Sequence, residues 1–334
     1  MRHLGRVLLR VLRSRLTGEP FSLSHLVTRR CNCACDTCLW LGQGDPAAEL
    51  SAAEIGRTYR DAGSLGFAAV AVWGGDPLMR EDLPEVLAHA RAARMMVTVI
   101  TNGYLLEQRL GELANLVDCL IVSIDGIGPR HDQIRHKEGL FDKAVRGIER
   151  ARGGSRTKVI INSVFSRLNV DSVEPLVRLA RDLDVSIYLC PIETGVAAAF
   201  DFQGSKQHLG LDRAQLEDFA SRAISLKRQG FKVNDSITYL RTFLGGKKPY
   251  ACHAQKVAVT LDANGDVRNC ISRTPFGNVR RTGLAAILQS AGVKRARRES
   301  QRCHICNNPD VIDCSYIWQF RPESAANFIR LLFR

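Results

Sequence analysis

The sequence has no long uninterrupted run of apolar residues, and this absence excludes a membrane-spanning helix. The longest run, residues 67–73, is far shorter than the roughly 20 residues that such a helix needs. The amino-terminal segment also lacks the apolar core of a secretory signal, because arginines interrupt it repeatedly. There is no low-complexity segment, and 45% hydrophobic with 24% charged residues is typical of a globular protein rather than of a disordered or collagen-like chain.

Acidic residues are scarce relative to basic ones. The 34 Asp and Glu stand against 47 Lys and Arg, which gives a net charge of +13. Ten of these excess charges lie at the two ends, with +6 over residues 1–30 and +4 over residues 289–334. No recognition motif or aromatic–basic platform accompanies the charge, so we do not expect nucleic-acid binding. A basic end can instead meet a membrane surface or water.

Residues 1–21 are predicted to form a basic amphipathic helix. Its apolar face comprises Leu4, Val7, Leu8, Val11 and Leu12. Its basic face comprises Arg2, Arg6, Arg10 and Arg13. Such a helix can lie in a membrane interface, and the tail over residues 321–334 has the same character. The alternative is that both segments dock on the protein itself and leave their arginines in water.

Strand-like and helical patterns alternate along residues 22–191. The strand-like runs, which are short and apolar, cover residues 23–28, 67–73, 96–101, 119–124, 159–164 and 187–191. Ser51 with Glu54 forms a capping-box pattern that opens the first helix. Six such repeats predict a parallel sheet with right-handed crossovers, and the segment is shorter than the roughly 250 residues of a complete eight-fold barrel. We therefore predict an α/β fold that is a partial (βα)6 TIM-like barrel.

Beyond the barrel, we predict a connector over residues 192–249 and a small C-terminal α+β domain over residues 250–320. This domain opens with a predicted β-hairpin. In its turn, Asp262, Asn264 and Asp266 have the spacing that begins a calcium-binding loop. The remaining ligand positions of such a loop are missing, so we interpret these residues as a turn.

Cysteine is frequent, with 11 residues in the chain. An odd number in a long chain without a secretory signal favours metal binding over a disulfide framework. Cys119 and Cys190 lie inside apolar strand-like runs and are predicted to be buried thiols. The other nine fall into two groups, over residues 31–38 and 252–314.

The first group contains a C-x3-C-x2-C pattern made by Cys31, Cys35 and Cys38. It follows the first predicted strand, at the edge of the sheet where barrels of this kind place their chemistry. The spacing can direct three thiolates at one iron–sulfur cube, whose fourth iron then stays open for a substrate. The alternative is a closed zinc site with Cys33 as the fourth ligand.

Together with later motifs, this pattern resembles the radical S-adenosylmethionine (radical SAM) superfamily. The later motifs follow successive strands or lie in them, and are Trp73-Gly74-Gly75-Asp76-Pro77, Thr101-Asn102-Gly103, Ser123-Ile124-Asp125-Gly126, Asn162 and Pro191. The resemblance covers residues 22–191. It implies that Cys31, Cys35 and Cys38 hold a 4Fe–4S cluster. It also implies reductive cleavage of S-adenosylmethionine (SAM) to attack an unactivated carbon, with a low-potential electron donor such as ferredoxin or flavodoxin.

The candidate SAM-binding residues come from these motifs and are Gly74, Gly75, Asp76, Thr101, Ser123, Asp125 and Asn162. The glycines leave room for backbone carbonyls beside the SAM amino group. Ser123 and Asp125 offer oxygen atoms to a ribose, and Asn162 can both donate and accept hydrogen bonds.

The chain departs from the family pattern at three positions. Thr37 stands where an aromatic residue often packs on the adenine, and Trp40 is the candidate substitute. Asp76 replaces the commoner Glu, which is a mild chemical change. Cys33 is an extra thiol that we expect to be a bystander.

Arg135 is also a candidate functional residue. We expect its guanidinium to meet a carboxylate, either that of SAM or that of an exposed ion pair.

The second cysteine group resembles the auxiliary-cluster extension of radical SAM enzymes called SPASM, in its shortened "twitch" form. Its members are Cys252, Cys270, Cys303, Cys306 and Cys314. Because a full version carries seven or more cysteines, the resemblance implies one auxiliary 4Fe–4S cluster with one thiol to spare. The alternative is a zinc knuckle of Cys252, Cys270, Cys303 and Cys306, since four thiolates suit zinc equally well.

The substrate class rests on weaker signals. Families with this extension often modify peptides or proteins, but the segment before the first strand is too short for a leader-peptide-binding domain. Both basic amphipathic ends instead favour a membrane lipid or isoprenoid substrate, and a cytoplasmic enzyme that sits peripherally on the inner membrane face. The alternatives are a peptide- or protein-modifying maturase, small-molecule cofactor synthesis and, in a different class, a non-catalytic iron–sulfur electron carrier.

Overall fold

The computed structural model describes residues 4–39, 48–154, 157–195, 206–246, 250–268, 274–319 and 321–333. Among the sequence-predicted residues, Arg2, Trp40 and Cys270 lie outside these ranges. None of the helices in these ranges has both the length and the apolar character needed to cross a membrane.

Six parallel strands form the centre of the fold, in the sheet order β6-β5-β4-β3-β2-β1. The strands are β1 Ser22–Thr28, β2 Ala69–Gly74, β3 Met96–Thr101, β4 Cys119–Ser123, β5 Lys158–Phe165 and β6 Ser186–Pro191. The helices that precede or connect them are α1 Leu4–Thr17, α2 Ala52–Leu65, α3 Leu83–Ala92, α4 Leu106–Leu113, α5 Pro129–Arg135, α6 Leu140–Gly154 and α7 Val173–Asp182. Every strand pairs with its sequence neighbour, as the βα repeat predicts.

The first crossover helix, α2, begins at the predicted residue. The Ser51 side chain accepts a hydrogen bond from the Glu54 amide, and the Glu54 carboxylate accepts one from the Ser51 amide. This reciprocal cap satisfies two amide groups that a helix start otherwise leaves unpaired. The predicted capping box is therefore present.

The strands have one buried face and one partly accessible face. In β3, Val97 and Val99 are fully buried, whereas Thr98 and Ile100 between them keep solvent access. Side chains of a strand alternate between faces, so the buried set packs under the helices and the accessible set lines the interior of the open barrel. Polar side chains on the second set are therefore available to molecules that enter this interior.

The C-terminal part adds three short strands and seven helices to the described fold. They are α8 Arg213–Arg228, α9 Ile237–Leu240, α10 Ala254–Val257, β7 Ala258–Leu261, β8 Asp266–Arg268, β9 Gly277–Asn278, α11 Leu284–Gln289, α12 Ala291–Glu299, α13 Pro309–Trp318 and α14 Pro322–Phe333. The predicted hairpin is β7–β8, which pairs antiparallel. Its first strand pairs parallel with β1, so the hairpin extends the barrel sheet.

The hairpin turn is held by protein groups, as its interpretation as a turn requires. Both carboxylate oxygens of Asp262 accept from the Arg29 guanidinium at 2.7 Å. The side chain of Asn264 donates to Asp266 at 3.1 Å. Arg29 lies two residues before the first cysteine group, so this ion pair also fixes the hairpin against the end of β1.

Helix α13 runs beside β6 from one edge of the barrel to the other. At its start, Asn307 donates its side-chain amide to the Ile192 carbonyl just after β6, at 2.9 Å. At its end, Trp318 packs with Val7 and with Phe21, the residue that precedes β1. One side of α13 therefore faces the barrel interior.

Helix α1 lies across the amino-terminal edge of the sheet. Val7 is buried against Phe21 and Ala68, which directly precede β1 and β2, and Ser14 donates to the Lys256 carbonyl at 2.7 Å. The predicted helix is present, but its apolar residues lie on two opposite sides. Val7 packs inward, whereas Leu12, which the helical wheel assigns to the same face, is 64% exposed.

Candidate active site

The first cysteine group lies directly after β1, at the carboxyl edge of the sheet. The Ala34 amide donates to the Arg135 carbonyl at 3.2 Å, and the Asp36 amide donates to the Ile134 carbonyl at 3.0 Å. Asp36 also meets His136 at 2.8 Å. These contacts tie the loop over residues 29–38, here called the cysteine loop, to the end of α5.

The thiols of the cysteine loop differ in access and in acidity. Cys31 is exposed, Cys35 and Cys38 are half-buried, and Cys33 is buried. A hydrogen bond from Cys33 lowers the pKa of Cys31 to about 7. The Cys33 thiol and the charge of Arg135 lower the pKa of Cys35 as well. Because the thiolate is the form that ligates metals, Cys31 and Cys35 are primed as ligands.

Cys33 lies between its two neighbours and stays protonated. Its hydrogen bonds to Cys31 and Cys35 raise its own pKa. The Asn102 side-chain amide, which lies beyond the end of β3, is 3.3 Å from the Cys33 sulfur and 3.8 Å from the Cys31 sulfur. Sequence motifs pointed to the Thr101-Asn102-Gly103 segment but not to this amide as a partner of the thiols.

Gly74 and Gly75 seat the cysteine loop against the end of β2. Gly74 has φ +151°, and a Cβ at this position would overlap the Thr28 carbonyl oxygen. A Cβ on Gly75 would likewise overlap the Arg30 carbonyl oxygen. The Gly75 amide donates to the Thr28 carbonyl at 2.8 Å. The backbone at Thr28 and Arg30 therefore occupies the space where a Cβ of either glycine would lie.

Asp76 and Thr101, two candidate SAM-binding residues, bind each other. The Thr101 hydroxyl donates to an Asp76 carboxylate oxygen at 2.8 Å, and the Asn102 amide donates to the same oxygen at 2.8 Å. The other oxygen accepts from the Leu78 amide at 2.9 Å. Asp76 is fully enclosed and burial raises its pKa. This carboxylate therefore joins the end of β2 to the end of β3.

Ser123 and Asn162 occupy one row across the barrel interior. Ser123 on β4 is in register with Asn162 on β5, and Asn162 is in register with Tyr188 on β6. All three are partly accessible and belong to the inner face of the sheet. The structure thus brings a hydroxyl, an amide and a phenol together on the wall of the barrel. Tyr188 was not among the residues that the sequence indicated.

Asp125 lies just beyond β4 and is fully buried. One of its carboxylate oxygens accepts from Arg135, and the other accepts from the Val164 amide at 2.8 Å. The Asp125 amide donates to His131 at 2.9 Å. Burial alone would lower the pKa of Arg135, but the charges of Asp125 and Cys35 and the hydrogen bond to Asp125 together outweigh this effect, so the guanidinium stays charged. The carboxylate partner of Arg135 is thus a buried residue of the chain itself.

The described members of the second cysteine group cluster at the end of the barrel's open side. Cys252 is buried, and Cys303 and Cys306 are half-buried. Burial raises the pKa of Cys252, and the nearby Cys303 adds to this effect. The Tyr250 hydroxyl donates to the Cys306 carbonyl at 3.4 Å. Cys270 lies outside the described residues.

A mononuclear zinc site needs its thiolates to converge on one point. Over the described parts of the chain, no three Cys, His, Asp or Glu side chains converge in this way. A cube spreads its ligands over several iron atoms. Among the described residues, Cys252, Cys303 and Cys306 therefore do not form a preformed mononuclear site.

Two side chains of α13 were not indicated by the sequence as facing the barrel interior. Asp310 and Cys314 are four residues apart and so share one face of the helix. Beyond the effect of burial, the charge of Asp310 raises the pKa of both Cys314 and Tyr188. Asp310 keeps solvent access although protein surrounds it, and this environment raises its own pKa. The accessible carboxylate of Asp310 is thus close enough to Tyr188 for its charge to act on the phenol.

Comparison with known proteins identifies two domains in the chain. Residues 26–180 match the radical SAM superfamily, and residues 252–308 match the SPASM iron–sulfur cluster-binding domain. The chain therefore contains a radical SAM domain followed by a SPASM domain. The radical SAM domain implies a 4Fe–4S cluster and SAM as cofactors, and the SPASM domain implies auxiliary iron–sulfur clusters. The recognition of both domains from the cysteine patterns is confirmed.

Curated relatives support an enzyme of this superfamily. A probable GTP 3',8-cyclase of Methanopyrus kandleri is 35% identical over 52% of this chain and 57% of its own length. A pre-heme d1 synthase of Dinoroseobacter shibae is 30% identical over 51% of this chain and 42% of its own length. The chain therefore spans about half the length of these relatives. A PqqA peptide cyclase of Rhizobium meliloti is 26% identical over 87% of this chain and 80% of its own length.

Solved structures share the fold. SuiB of Streptococcus suis bound to SAM has a TM-score of 0.69 at 16% identity, and covers 84% of this chain and 68% of its own. The SAM-bound anSMEcpe structure has a TM-score of 0.67 at 14% identity, and covers 94% of this chain and 98% of its own. The partial barrel is thus confirmed. The relatives described above are named as cyclases and synthases.

The cysteine loop fits the implied cluster. Its thiols lie at one edge of the barrel, two of them have lowered pKa values, and the exposed Cys31 leaves room beside the loop. The charge of Arg135 complements thiolate ligands. The donor set therefore suits the cofactor that the family implies.

Proposed function

We propose that Cys31, Cys35 and Cys38 hold the catalytic 4Fe–4S cluster, and that the enzyme uses SAM to functionalise an unactivated C–H or C=C carbon of its substrate. The lowered pKa of Cys31 and Cys35 in a loop fixed at the carboxyl edge of the barrel carries this proposal. When bound, the reduced cluster and SAM supply the one-electron chemistry that removes hydrogen from such a carbon. Ferredoxin or flavodoxin is the proposed electron donor.

The candidate SAM-binding residues divide into two roles. Ser123 and Asn162 face the interior and are proposed to contact SAM directly. The others are engaged with the protein and are proposed to position the cysteine loop and the strand ends, namely Gly74, Gly75, Asp76, Thr101 and Asp125. For Asp76, Thr101 and Asp125 this division follows from burial, because a side chain whose polar atoms are all paired has none left for a ligand. For the two glycines it follows from the close approach of the backbone at Thr28 and Arg30.

An auxiliary 4Fe–4S cluster is proposed on Cys252, Cys270, Cys303 and Cys306. Cys314 is the spare thiol in this proposal, because it shares the interior-facing side of α13 with Asp310. A triple variant of Cys31, Cys35 and Cys38 to Ala, reconstituted anaerobically, isolates this second site. Iron is expected in that variant, whereas zinc without iron would contradict the auxiliary cluster.

The substrate is proposed to be a polar molecule, such as a peptide, that offers a cationic or hydrogen-bond-donating group to Asp310. Asp310 is close enough to Tyr188 for its charge to act on the phenol, and no described residue donates a hydrogen bond to the Asp310 carboxylate. Asp310 keeps solvent access, so its carboxylate can exchange bound water for a complementary substrate group. The similarity to a PqqA peptide cyclase over most of that protein supports the same class.

A membrane lipid or isoprenoid is the second candidate substrate. The exposed leucines of α1 favour it, since they suit a bilayer surface. However, α1 lies at the amino-terminal edge of the barrel and the cysteine loop lies at the carboxyl edge. A lipid would have to leave the bilayer and travel about 20 Å, the length of a strand, to reach the cluster.

Formation of 5′-deoxyadenosine from SAM tests the proposed activity. The anaerobically reconstituted enzyme is reduced with dithionite, or with flavodoxin and its reductase, and the nucleoside is quantified. Formation is expected in the native enzyme and in Cys119→Ala, a cysteine variant outside both cysteine groups that serves as the matched control, and is expected to be lost in Cys35→Ala. A Cys35→Ala variant that keeps its catalytic iron would contradict the ligand assignment.

Two extracts distinguish the candidate substrates. A peptide fraction and a lipid fraction are each added to the reduced enzyme, and new SAM-dependent products are sought by mass spectrometry. We expect the peptide fraction to yield new SAM-dependent products. Products from the lipid fraction alone would favour the lipid or isoprenoid substrate.

A further inference from the structure

Helix α1 displays an apolar stripe to solvent while its opposite side is docked. The stripe consists of Leu9, Leu12 and Leu16, which are 73%, 64% and 90% exposed. These positions repeat at three and four residues and therefore lie on one face of the helix. Val7 on the opposite side is buried in the protein.

The docked side holds the helix firmly. The Ser14 hydroxyl donates to the Lys256 carbonyl at 2.7 Å, and the Arg15 guanidinium donates to the Ile317 carbonyl at 3.0 Å. Arg15 also lies over the Trp318 ring at 5.5 Å. The leucine stripe therefore cannot turn inward without breaking these contacts, and the native fold keeps it at the surface.

Exposed basic residues lie at the same end of the molecule as the stripe. Arg13 is exposed on α1 itself, and Lys294, Arg295 and Arg298 are exposed on α12. Both helices contact α10, so they lie at the same end of the molecule. The acidic residues of α12 and of the turn just after α1 are Glu299 and Glu19, respectively, and the four cations outnumber them. We call these four exposed cations the basic rim.

We infer that the leucine stripe and the basic rim form a docking face for an anionic phospholipid bilayer. Leucines inserted between headgroups and cations against phosphates are the two attractions by which interfacial helices bind membranes. The face lies at the amino-terminal edge of the barrel. The bound enzyme would therefore present its carboxyl edge, with the cysteine loop, to the aqueous phase.

A bilayer suits this face better than a second copy of the chain does. A stable protein interface buries roughly 1,200–2,000 Å², and three leucine side chains supply far less. Two copies related by a two-fold axis would also bring their basic rims close together, and like charges repel. A bilayer avoids both difficulties, because its anionic surface is continuous and of opposite charge.

Vesicle flotation of the reconstituted full-length enzyme tests this inference. The vesicles contain either phosphatidylcholine alone or phosphatidylcholine mixed with phosphatidylglycerol. Binding is expected on the mixed vesicles, and added salt should weaken it. The variant Leu9→Ser/Leu12→Ser/Leu16→Ser should lower partitioning by roughly tenfold or more. The variant Arg13→Gln/Lys294→Gln/Arg295→Gln/Arg298→Gln should remove the preference for anionic lipid.

Matched controls separate the docking face from general surface properties. Arg146→Gln/Arg150→Gln removes two exposed charges from α6, and Ile127→Ser removes an exposed apolar residue after β4. Both should bind vesicles like the native enzyme, and all variants should keep their circular dichroism and iron content.

Three results would overturn the inference. They are absence of binding to mixed vesicles, binding unaffected by the leucine variant, and a dimer in light scattering that the leucine variant dissociates. The last result would identify the stripe as a self-association surface. None of these results depends on whether SAM is cleaved, so the proposed function is tested separately.

Discussion

Asp125 and Arg135 form a buried ion pair with an N–O distance of 2.7 Å beneath the cysteine loop. The pair connects the end of β4 to the end of α5, and the Arg135 carbonyl in turn accepts a hydrogen bond from Ala34 in the loop. The guanidinium charge also contributes to the lowered pKa of Cys35. One interaction thus supports both the position and the acidity of the candidate cluster ligands.

Asp125→Asn should destabilise the protein by about 3–5 kcal/mol, because it leaves a charged guanidinium buried without its partner. Denaturant unfolding under anaerobic, reducing conditions measures this change, and the iron content of the reconstituted variant should fall as well. Glu174→Gln, which breaks the exposed ion pair with Arg178, is the control and should cost less than about 1 kcal/mol. Equal effects of the two variants would contradict the supporting role of the pair.

Gly75→Ala should displace the cysteine loop, because the new Cβ would overlap the Arg30 carbonyl oxygen. We expect loss of iron from the catalytic site and loss of SAM cleavage, both measured after reconstitution. Gly111→Ala is the matched control on α4, where a Cβ meets no atom within 4 Å. That variant should keep its iron and gain about 0.5–1 kcal/mol of stability. A Gly75→Ala enzyme with full iron would show that the loop tolerates the displacement.

Two buried histidines should make the protein sensitive to acid. Burial lowers the pKa of His25 to about 3 and that of His131 to about 2. Below the unfolded value of about 6.5, the unfolded chain binds protons that the folded chain does not. As the pH is lowered from about 6.5 to about 3, the free energy of unfolding should therefore decrease by about 1.4 kcal/mol per pH unit for each histidine.

His131→Asn tests this pH dependence. Asn can still accept the hydrogen bond that the Asp125 amide donates to His131, but it does not titrate. Urea unfolding at a series of pH values should show a slope smaller by about 1.4 kcal/mol per pH unit. His208→Asn, at an exposed position, should leave the slope as it is. An unchanged slope in His131→Asn would mean that this histidine does not contribute.

Asp310→Asn should impair the reaction with substrate without affecting SAM cleavage in its absence. The loss of a charge-assisted hydrogen bond to a donor group corresponds to about 1.5–3 kcal/mol, or roughly tenfold to hundredfold in product formation. Burial raises the pKa of Asp310, so this carboxylate becomes protonated at a higher pH than an ordinary carboxylate does. As the pH is lowered, the native enzyme should therefore lose activity earlier than an ordinary carboxylate would predict. The variant should lack this acidic limb of the pH profile. Asp182→Asn on the surface of α7 is the control.

Local patterns carried much of the prediction. The six strands lie where the apolar runs are, within two residues at most ends, and the capping box at Ser51 forms as predicted. The cysteine spacing and the order of the motifs led to the correct superfamily. These features depend on neighbours in the chain, and the alternation of side chains along a strand or helix records them directly.

Partners that are distant in the chain could not be predicted in the same way. The glycines at the end of β2 are needed by the backbone at Thr28 and Arg30, about 45 residues earlier, and no local pattern in the sequence indicates this contact. Asp125 turns to Arg135 rather than outward. Pairing of β7 with β1 likewise joins segments more than 200 residues apart.

The sequence by itself determined the order of strands and helices, the two cysteine groups and the family, because periodicity and spacing act over a few residues. Only the tertiary structure decided which polar groups are already paired, that Asp310 faces the barrel interior, and that the exposed leucines of α1 lie at the opposite edge from the cysteine loop. Those outcomes depend on burial and on contacts between segments far apart in the chain, and no local pattern encodes either.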